Sequence, residues 1–222
     1  GERAGSEGYG YGIEAVEIQL VDKGSFVPPE DSTPAFRDRA DEPPSLTYRA
    51  HLSNVGWQGA VSDGSTAGTT GKSLPVEALE VSLSWWGHDA GVSVRAHVED
   101  YGWQNWTTGS AGTTGRSLAM EAVQLRLTGE VAETHDIWYR VHVAQLGWMD
   151  WAANGGAAGT TGAGHAIEAI EIRLVPKGGE APGPTENHYA GPLESLGGSY
   201  WDITGAAMVA SDSNNLLCGS ED

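Results

Sequence analysis

The sequence is poor in cysteine, phenylalanine and basic residues, and it lacks long apolar runs. Its one cysteine, Cys218, excludes an internal disulfide and leaves a free thiol or an intermolecular bridge as alternatives. Only 12 basic residues stand against 30 acidic ones, and a net charge of −18 disfavours binding to nucleic acid or to an anionic lipid surface. No apolar run reaches the roughly 20 residues that a membrane-spanning helix needs. We therefore expect no nucleic-acid partner and no membrane insertion.

Glycine and tryptophan are abundant instead, with 32 and 9 copies among 222 residues. Glycine at this level is typical either of low-complexity sequence or of a fold with many turns. The apolar fraction of 39% and the spread of the tryptophans favour a folded core. The composition therefore predicts a protein of many short strands joined by turns.

One glycine-rich stretch, AGTTGKS at residues 67–73, resembles a phosphate-binding loop. Such a loop needs its lysine, an earlier glycine at the position that Thr66 occupies here, and a helix that follows. The run VEALEVSL that follows alternates like a strand instead. Two further AGTTG copies continue with Arg116-Ser117 and Ala163-Gly164 and so lack the lysine. This stretch is therefore no nucleotide-binding loop.

The stretch belongs to a repeat of about 45 residues. His51, His97 and His142 lie 46 and then 45 residues apart, and each stands five residues before a Gly-Trp pair. In each copy an AGTTG turn and a strand-like run follow: VEALEVSL, MEAVQLRL or IEAIEIRL. The second half of the unit also opens the chain, as AGSEG and IEAVEIQL. A period of this length is typical of stacked or pseudo-symmetric repeat proteins.

These repeats predict an all-β domain at residues 1–178 with pseudo-threefold symmetry, either β-prism-like or a β-trefoil. Its units are a half unit at 1–20 and full units at 46–83, 92–127 and 137–174. The connectors at 84–93 and 128–138 are typical of hairpins that join the last strand of one unit to the first strand of the next. Residues 179–222 are interpreted as a Gly/Pro linker and a tail. We expect residues 199–211 of this tail to pair with the strand Ile167–Leu174 of the same or a neighbouring chain.

Two ionisable positions recur in every unit, and each has two interpretations. The glutamate at the entrance of the second strand falls on its apolar face, where it either accepts hydrogen bonds from the turn of its own unit or faces a ligand. The repeated histidine either makes a cross-strand or loop hydrogen bond or contacts a ligand. The glutamates are Glu14, Glu77, Glu121 and Glu168, and the histidines are His51, His97 and His142.

Tryptophans recur at two positions of the unit. Trp57, Trp103 and Trp148 keep a fixed register, which is typical of core anchors. The second position holds Trp106 and Trp151 but Ala60 in the first unit, and this exchange favours a surface position. Exposed tryptophans beside amides and carboxylates are typical of sugar-binding sites. We therefore predict ligand contacts for Trp106 and Trp151 with Gln104, Asn105 and Asp150.

The unit Y-x-A-H-V-x-x-x-G-W-x-x-W, followed by A-G-T-T-G and a strand-like E-A run, resembles the clostridial hydrophobic repeat with its Gly-Trp, the ChW repeat. The resemblance spans Gly1 to about Leu174. It implies a bacterial, secreted or wall-associated module without catalytic residues, which recognises polysaccharides or proteins at the cell surface. The leading half unit departs from the pattern because it lacks the histidine and the Gly-Trp pair.

The sequence thus predicts a non-catalytic extracellular module that binds carbohydrate or a glycoconjugate, without a cofactor or a metal. The alternative is a structural or adhesion subunit that assembles with protein partners or with itself by strand addition. An enzyme is the weakest of the three readings, because the sequence shows no Gly-x-Ser-x-Gly or His-Glu-x-x-His motif and no catalytic pair of carboxylates.

Overall fold

The computed structural model describes residues 4–13, 22, 36–191, 200–201 and 207–208. In these ranges strands dominate, beside one short helix, α1 (Val131–Thr134), and a 3₁₀ turn at Arg39–Asp41. In chain order the strands are β1 (Gly5–Glu7), β2 (Phe36–Asp38), β3 (Ser45–Leu52), β4 (Gly56–Trp57), β5 (Val61–Ser62), β6 (Thr66–Gly68), β7 (Val76–Ser84), β8 (Ala90–Val98), β9 (Gly102–Trp103), β10 (Thr107–Thr108), β11 (Ser110–Gly112), β12 (Met120–Gly129), β13 (His135–Val143), β14 (Gly147–Trp148), β15 (Ala152–Ala153), β16 (Ala158–Thr160), β17 (Ile167–Pro176), β18 (Tyr189–Ala190), β19 (Tyr200–Trp201) and β20 (Ala207–Met208).

Each of the three full repeats contributes two long antiparallel strands and three short ones. The long pairs are β3 with β7, β8 with β12, and β13 with β17. They form strands because apolar side chains alternate with polar ones: Leu46, Tyr48, Ala50 and Leu52 of β3 are all buried. The apolar faces of all three pairs meet in one core. The N-terminal strand β1 pairs with β2.

The repeats are joined because each gives its fourth strand to a neighbour. β6 of repeat 1 pairs with β17 of repeat 3, β11 of repeat 2 with β7 of repeat 1, and β16 of repeat 3 with β12 of repeat 2. The exchange closes a cycle, and each of the three large sheets contains strands of two repeats. The all-β, internally repeated fold is confirmed. The choice between β-prism and β-trefoil remains a prediction.

The predicted hairpins between repeats are wrong. β7 and β8 flank the first connector but belong to different sheets, and so do β12 and β13 at the second connector. The long strands pair within their own repeat instead. The last strand of repeat 3, β17, is therefore not available to the tail, because it is hydrogen-bonded to β13 on one side and to β6 on the other.

A strand from beyond the repeats does join a sheet, but its residues and its partner differ from the prediction. Tyr189–Ala190 (β18) pairs in parallel with β16, at Gly159 and Thr160. β16 can pair with this strand because β12 occupies only one edge of β16 and leaves the other edge free. Within the predicted tail, the described strands β19 and β20 pair with each other.

Candidate functional site

A β-bulge places the repeated glutamate of each full unit. Glu77 lies between Val76 and Ala78, which face the consecutive residues Leu52 and His51, so Glu77 is the extra residue of its strand. The same irregularity occurs in the other two long pairs. A bulge redirects side chains locally, and Glu77, Glu121 and Glu168 are only 4%, 6% and 6% exposed. The bulge explains how a carboxylate can lie among core residues of an otherwise regular strand.

Each buried glutamate is paired with the histidine of its own repeat. The distances from histidine Nδ1 to glutamate Oε2 are 3.1 Å for His51–Glu77, 2.9 Å for His97–Glu121 and 3.1 Å for His142–Glu168. The atoms are at ion-pair distance without the alignment of a hydrogen bond. A buried carboxylate is costly unless it is paired. The histidines therefore contact the glutamates across the strand pair, as one interpretation predicted, but without the hydrogen bond that it assumed. Their contact with a ligand stays a prediction.

The prediction that the turn of the same unit binds the glutamate side chain is wrong. The Thr69 N–H donates to the main-chain oxygen of Glu168 at 2.9 Å, and the Thr113 N–H donates to that of Glu77 at 2.8 Å. Because the exchanged strand carries the turn to another repeat, turn and glutamate meet across a repeat boundary and through the backbone. Glu14 lies outside the described residues.

The Gly-Trp tryptophans lie at the surface, so the prediction that they anchor the core is wrong. Trp57 pairs across the sheet with His51 and shares its outward face. The two rings meet edge to face, 5.3 Å apart, and the Arg49 guanidinium lies 4.8 Å from the indole centroid. Trp57 is 38% exposed. The same stack of Arg, Trp and His recurs around Trp103 and Trp148.

A cleft of about 510 Å³ opens where repeats 1 and 2 meet. Trp57 forms its wall from repeat 1, and the exchanged strand and turn of repeat 2 form the other. The lining is Trp57, Ala78, Gln104, Asn105, Thr107, Ser110, Ala111, Gly112, Thr113 and Thr114. None of these described lining residues carries a charge. The cleft therefore combines a partly exposed indole with neutral hydrogen-bonding groups.

The corresponding cleft between repeats 2 and 3 has about 610 Å³ and a different chemistry. Trp103 again forms the wall, but Glu99, Asp100 and Glu121 add three carboxylates. Tyr189 reaches in from beyond the repeats, and its hydroxyl lies 2.6 Å from the Thr161 Oγ1. This cleft is acidic and partly occupied by the protein's own chain.

The sequence profile of the clostridial hydrophobic W family, ChW, matches residues 51–84, 97–129 and 142–176. The three full repeats are ChW repeats. Each match begins at the repeated histidine and takes in the Gly-Trp pair, the AGTTG turn and the bulged glutamate, so the clefts lie between consecutive ChW repeats. Neither a curated protein nor a solved structure matches the chain.

The third ChW repeat does not expose its second tryptophan as predicted. Trp151 is 3% exposed, because residues 183–187 lie over it. The backbone N–H of Trp151 donates to the Pro184 oxygen at 2.8 Å, and the Asp150 carboxylate accepts the backbone N–H of Asn187 at 2.8 Å. Asp150 and Trp151 therefore bind the chain's own segment.

In the second ChW repeat the predicted residues separate into two places. Gln104 and Asn105 line the neutral cleft with Trp57, while Trp106 stands outside that lining. Trp106 is half-buried between two guanidinium groups, 4.9 Å from that of Arg95 and 4.3 Å from that of Arg126.

A glutamine that sequence reasoning treated only as a ligand contact protects the edge of the exchanged strand. The Gln104 side chain accepts the Gly112 N–H at 2.8 Å and donates to the Gly112 oxygen at 3.1 Å. Gln58, which we did not single out, accepts the Gly68 N–H in repeat 1. Repeat 3 has Met149 at this position, and there the His188 oxygen accepts the Gly159 N–H at 3.0 Å. The Gln-Gln-Met exchange directly after the Gly-Trp pair is the sequence signal for this difference.

Tyr48 ties repeat 1 to repeat 3. Its hydroxyl accepts the Ile172 N–H at 3.0 Å and contacts the Ser65 oxygen. Burial raises the pKa of this phenol to about 12, so it stays protonated and able to donate at neutral pH.

Within the described ranges no helix is long and apolar enough to cross a membrane. Among the same residues, no three or more His, Cys, Asp or Glu side chains group in a way that could hold a metal ion. The three repeated histidines in particular lie in separate clusters, each with its own glutamate.

Proposed function

We propose that this ChW chain is a non-catalytic, secreted or cell-surface module that binds neutral polysaccharide, and that the cleft between repeats 1 and 2 is its ligand site. The observation that carries the proposal is the partly exposed indole of Trp57 beside an uncharged wall of amide and hydroxyl groups. A sugar ring offers an apolar face that stacks on an aromatic ring and hydroxyls that exchange hydrogen bonds with such a wall.

The size and the charge of the cleft support this choice. Its volume of about 510 Å³ lies in the range of roughly 300–1,000 Å³ that is usual for small-molecule sites. The protein's charge of −18 disfavours anionic glycans. Asn105 is exposed and lines the cleft, whereas the Gln104 amide is engaged with Gly112. Asn105 and the nearby hydroxyls are therefore the groups that we expect to contact a sugar.

A glycan array followed by titration of the strongest neutral glycan tests the proposal. Trp57→Ala removes the stacking surface and should weaken binding at least tenfold, while Asn105→Ala should weaken it less. Trp86→Ala is the matched control, because Trp86 is also exposed, at 51%, but lies outside the cleft lining. Glycan binding that survives Trp57→Ala unchanged would exclude this cleft.

A second candidate function is assembly with partner chains by strand addition. The favouring observation is β18, which already adds a strand to the array from outside the repeats. If a neighbouring chain can supply this strand, the protein should form a defined oligomer whose mass falls when residues 180–222 are removed. Light scattering after size exclusion measures this, and a monomer at every concentration would argue against assembly.

A further inference from the structure

One position of the repeat carries a tryptophan in repeats 2 and 3 and an alanine in repeat 1. Trp106 directly precedes Thr107, which pairs with Val94, and Trp151 directly precedes Ala152, which pairs with Tyr139. Ala60 directly precedes Val61, which pairs with Tyr48 in the same register. The backbone thus holds Ala60 at the place where the other two repeats carry an indole.

In repeats 2 and 3 this indole completes a sandwich around an arginine. The Arg95 guanidinium lies 5.0 Å from the centroid of Trp103 and 4.9 Å from that of Trp106. Arg140 lies 4.7 Å from Trp148 and 5.0 Å from Trp151. A guanidinium and an aromatic face attract each other through the charge of one and the quadrupole of the other. Each of these arginines therefore stacks with two rings of its own repeat.

In repeat 1 the equivalent arginine has only the first of these two rings. Arg49 lies 4.8 Å from Trp57, and its guanidinium is held in place by Glu80 at 2.8 Å. On the side of Ala60 there is a slot of about 150 Å³ lined by Thr47, Tyr48, Arg49, Ala60, Glu80 and Ser82. A cavity of about this volume holds a benzene molecule in another protein. The slot is open at the surface, because Ala60 and Ser82 are exposed.

We propose that the slot at Ala60 is a binding site for a planar aromatic ring supplied from outside the chain, which stacks on Arg49 as Trp106 stacks on Arg95. The repeat itself shows which chemistry fits the place, since an indole occupies it twice in the same protein. The Arg49–Glu80 pair fixes the guanidinium before the ligand arrives, which lowers the ordering cost of binding. The site is separate from the Trp57 cleft, as the two linings share no residue.

Titration of the full chain with indole and with blocked tryptophan amide tests this site. Backbone amide NMR follows the shifts at Ala60 and Val61, and calorimetry gives the stoichiometry. We expect one equivalent of ligand per chain. Similar affinity for both compounds identifies a free aromatic molecule as the ligand, whereas tighter binding of the amide identifies a tryptophan side chain of a polypeptide. If neither compound shifts these amides, the proposal is wrong.

Two variants test the slot in opposite directions, since one fills it in repeat 1 and the other opens the equivalent slot in repeat 2. Ala60→Trp supplies the missing ring and should abolish binding. Trp106→Ala opens the equivalent slot beside Arg95 and should raise the stoichiometry from one to two. An unchanged stoichiometry in folded Trp106→Ala overturns the proposal, and so does undiminished binding to Ala60→Trp. The gain in Trp106→Ala decides the question even if Ala60→Trp does not fold.

Discussion

The junctions on either side of repeat 2 are built from the same parts but close the edge of the exchanged strand in different ways. Between repeats 1 and 2 the edge is closed by the Gln104 side chain on Gly112. Between repeats 2 and 3 it is closed by the backbone of residues 188–190, on Gly159 and Thr161. An exposed strand edge is a template for pairing with other chains. The exposed strand edge is therefore covered by a side chain at the first junction and by an added strand at the second.

The difference between the junctions lies in the residue after the Gly-Trp pair, which is Gln104 in repeat 2 and Met149 in repeat 3. In repeat 3 the segment at 188–190 makes the hydrogen bonds that a glutamine would make. Methionine cannot accept or donate as glutamine does, so Met149 leaves the Gly159 N–H to the His188 oxygen. The segment that brings His188 also covers Trp151. The neutral cleft at the first junction therefore stays open, because Gln104 protects the edge there without adding chain.

Removal of residues 180–222 should break the second junction and spare the first. Loss of the segment exposes part of Trp151, whose full burial of about 150–250 Å² is worth roughly 4–6 kcal/mol. It also leaves the backbone N–H groups of Gly159 and Thr161 without their partners. We expect the free energy of unfolding in urea to fall by about 4 kcal/mol. The glycan affinity of the first cleft should stay unchanged.

Met149→Gln in the shortened chain is the matched control for this prediction. If edge protection is interchangeable, the new glutamine should restore about 1 kcal/mol through hydrogen bonds to Gly159. A shortened chain as stable as the full one would show that residues 180–191 do not stabilise the array.

The sequence predicted the features of this fold that depend on local patterns, and it missed those that depend on contacts between repeats. The alternation of apolar residues predicted the long strands, and the four motifs in register predicted the repeat. The exchange of β6, β11 and β16 was missed because the residue pattern of one repeat does not show whether a short strand pairs within its own repeat or with a neighbour. The position of Trp57 was missed for a related reason: a fixed register identifies a repeated contact, and here the contact is with His51 on the outer face. The exchange at Ala60 predicted a surface position, and Ala60 is exposed and Trp106 half-buried. Trp151 is buried instead, because it is covered by residues 32 to 36 positions further along.

Both junctions should depend equally on the first glycine of the AGTTG turn. A Cβ at Gly112 would lie 2.3 Å from the Glu77 oxygen, and one at Gly159 would lie 2.3 Å from the Glu121 oxygen; both residues also have positive φ angles. Gly112→Ala and Gly159→Ala should each cost about 3 kcal/mol of unfolding free energy, because the exchanged strand must move away from its partner. Chemical denaturation measures both values.

The last glycine of the same turn provides the control. At Gly115 φ is also positive, at +69°, but nothing lies within 4 Å of an added Cβ. Gly115→Ala should therefore cost only about 1 kcal/mol, from backbone strain alone. Equal costs at Gly112 and Gly115 would mean that the close approach of the exchanged strand contributes little.

The smallest expected effect comes from Gln104→Met, which gives repeat 2 the residue of repeat 3 without the covering segment. Two hydrogen bonds at a partly exposed edge are lost, so we expect about 1 kcal/mol of destabilisation. The local consequence is sharper, because the Gly112 N–H loses its acceptor while the Gly159 N–H keeps the His188 oxygen. Hydrogen exchange should therefore speed up at Gly112 and stay unchanged at Gly159.

Gln58→Met should have the same effect at Gly68 in repeat 1. If exchange at Gly112 does not change, the glutamine does not close this edge, and the contrast between the two junctions rests on the covering segment alone.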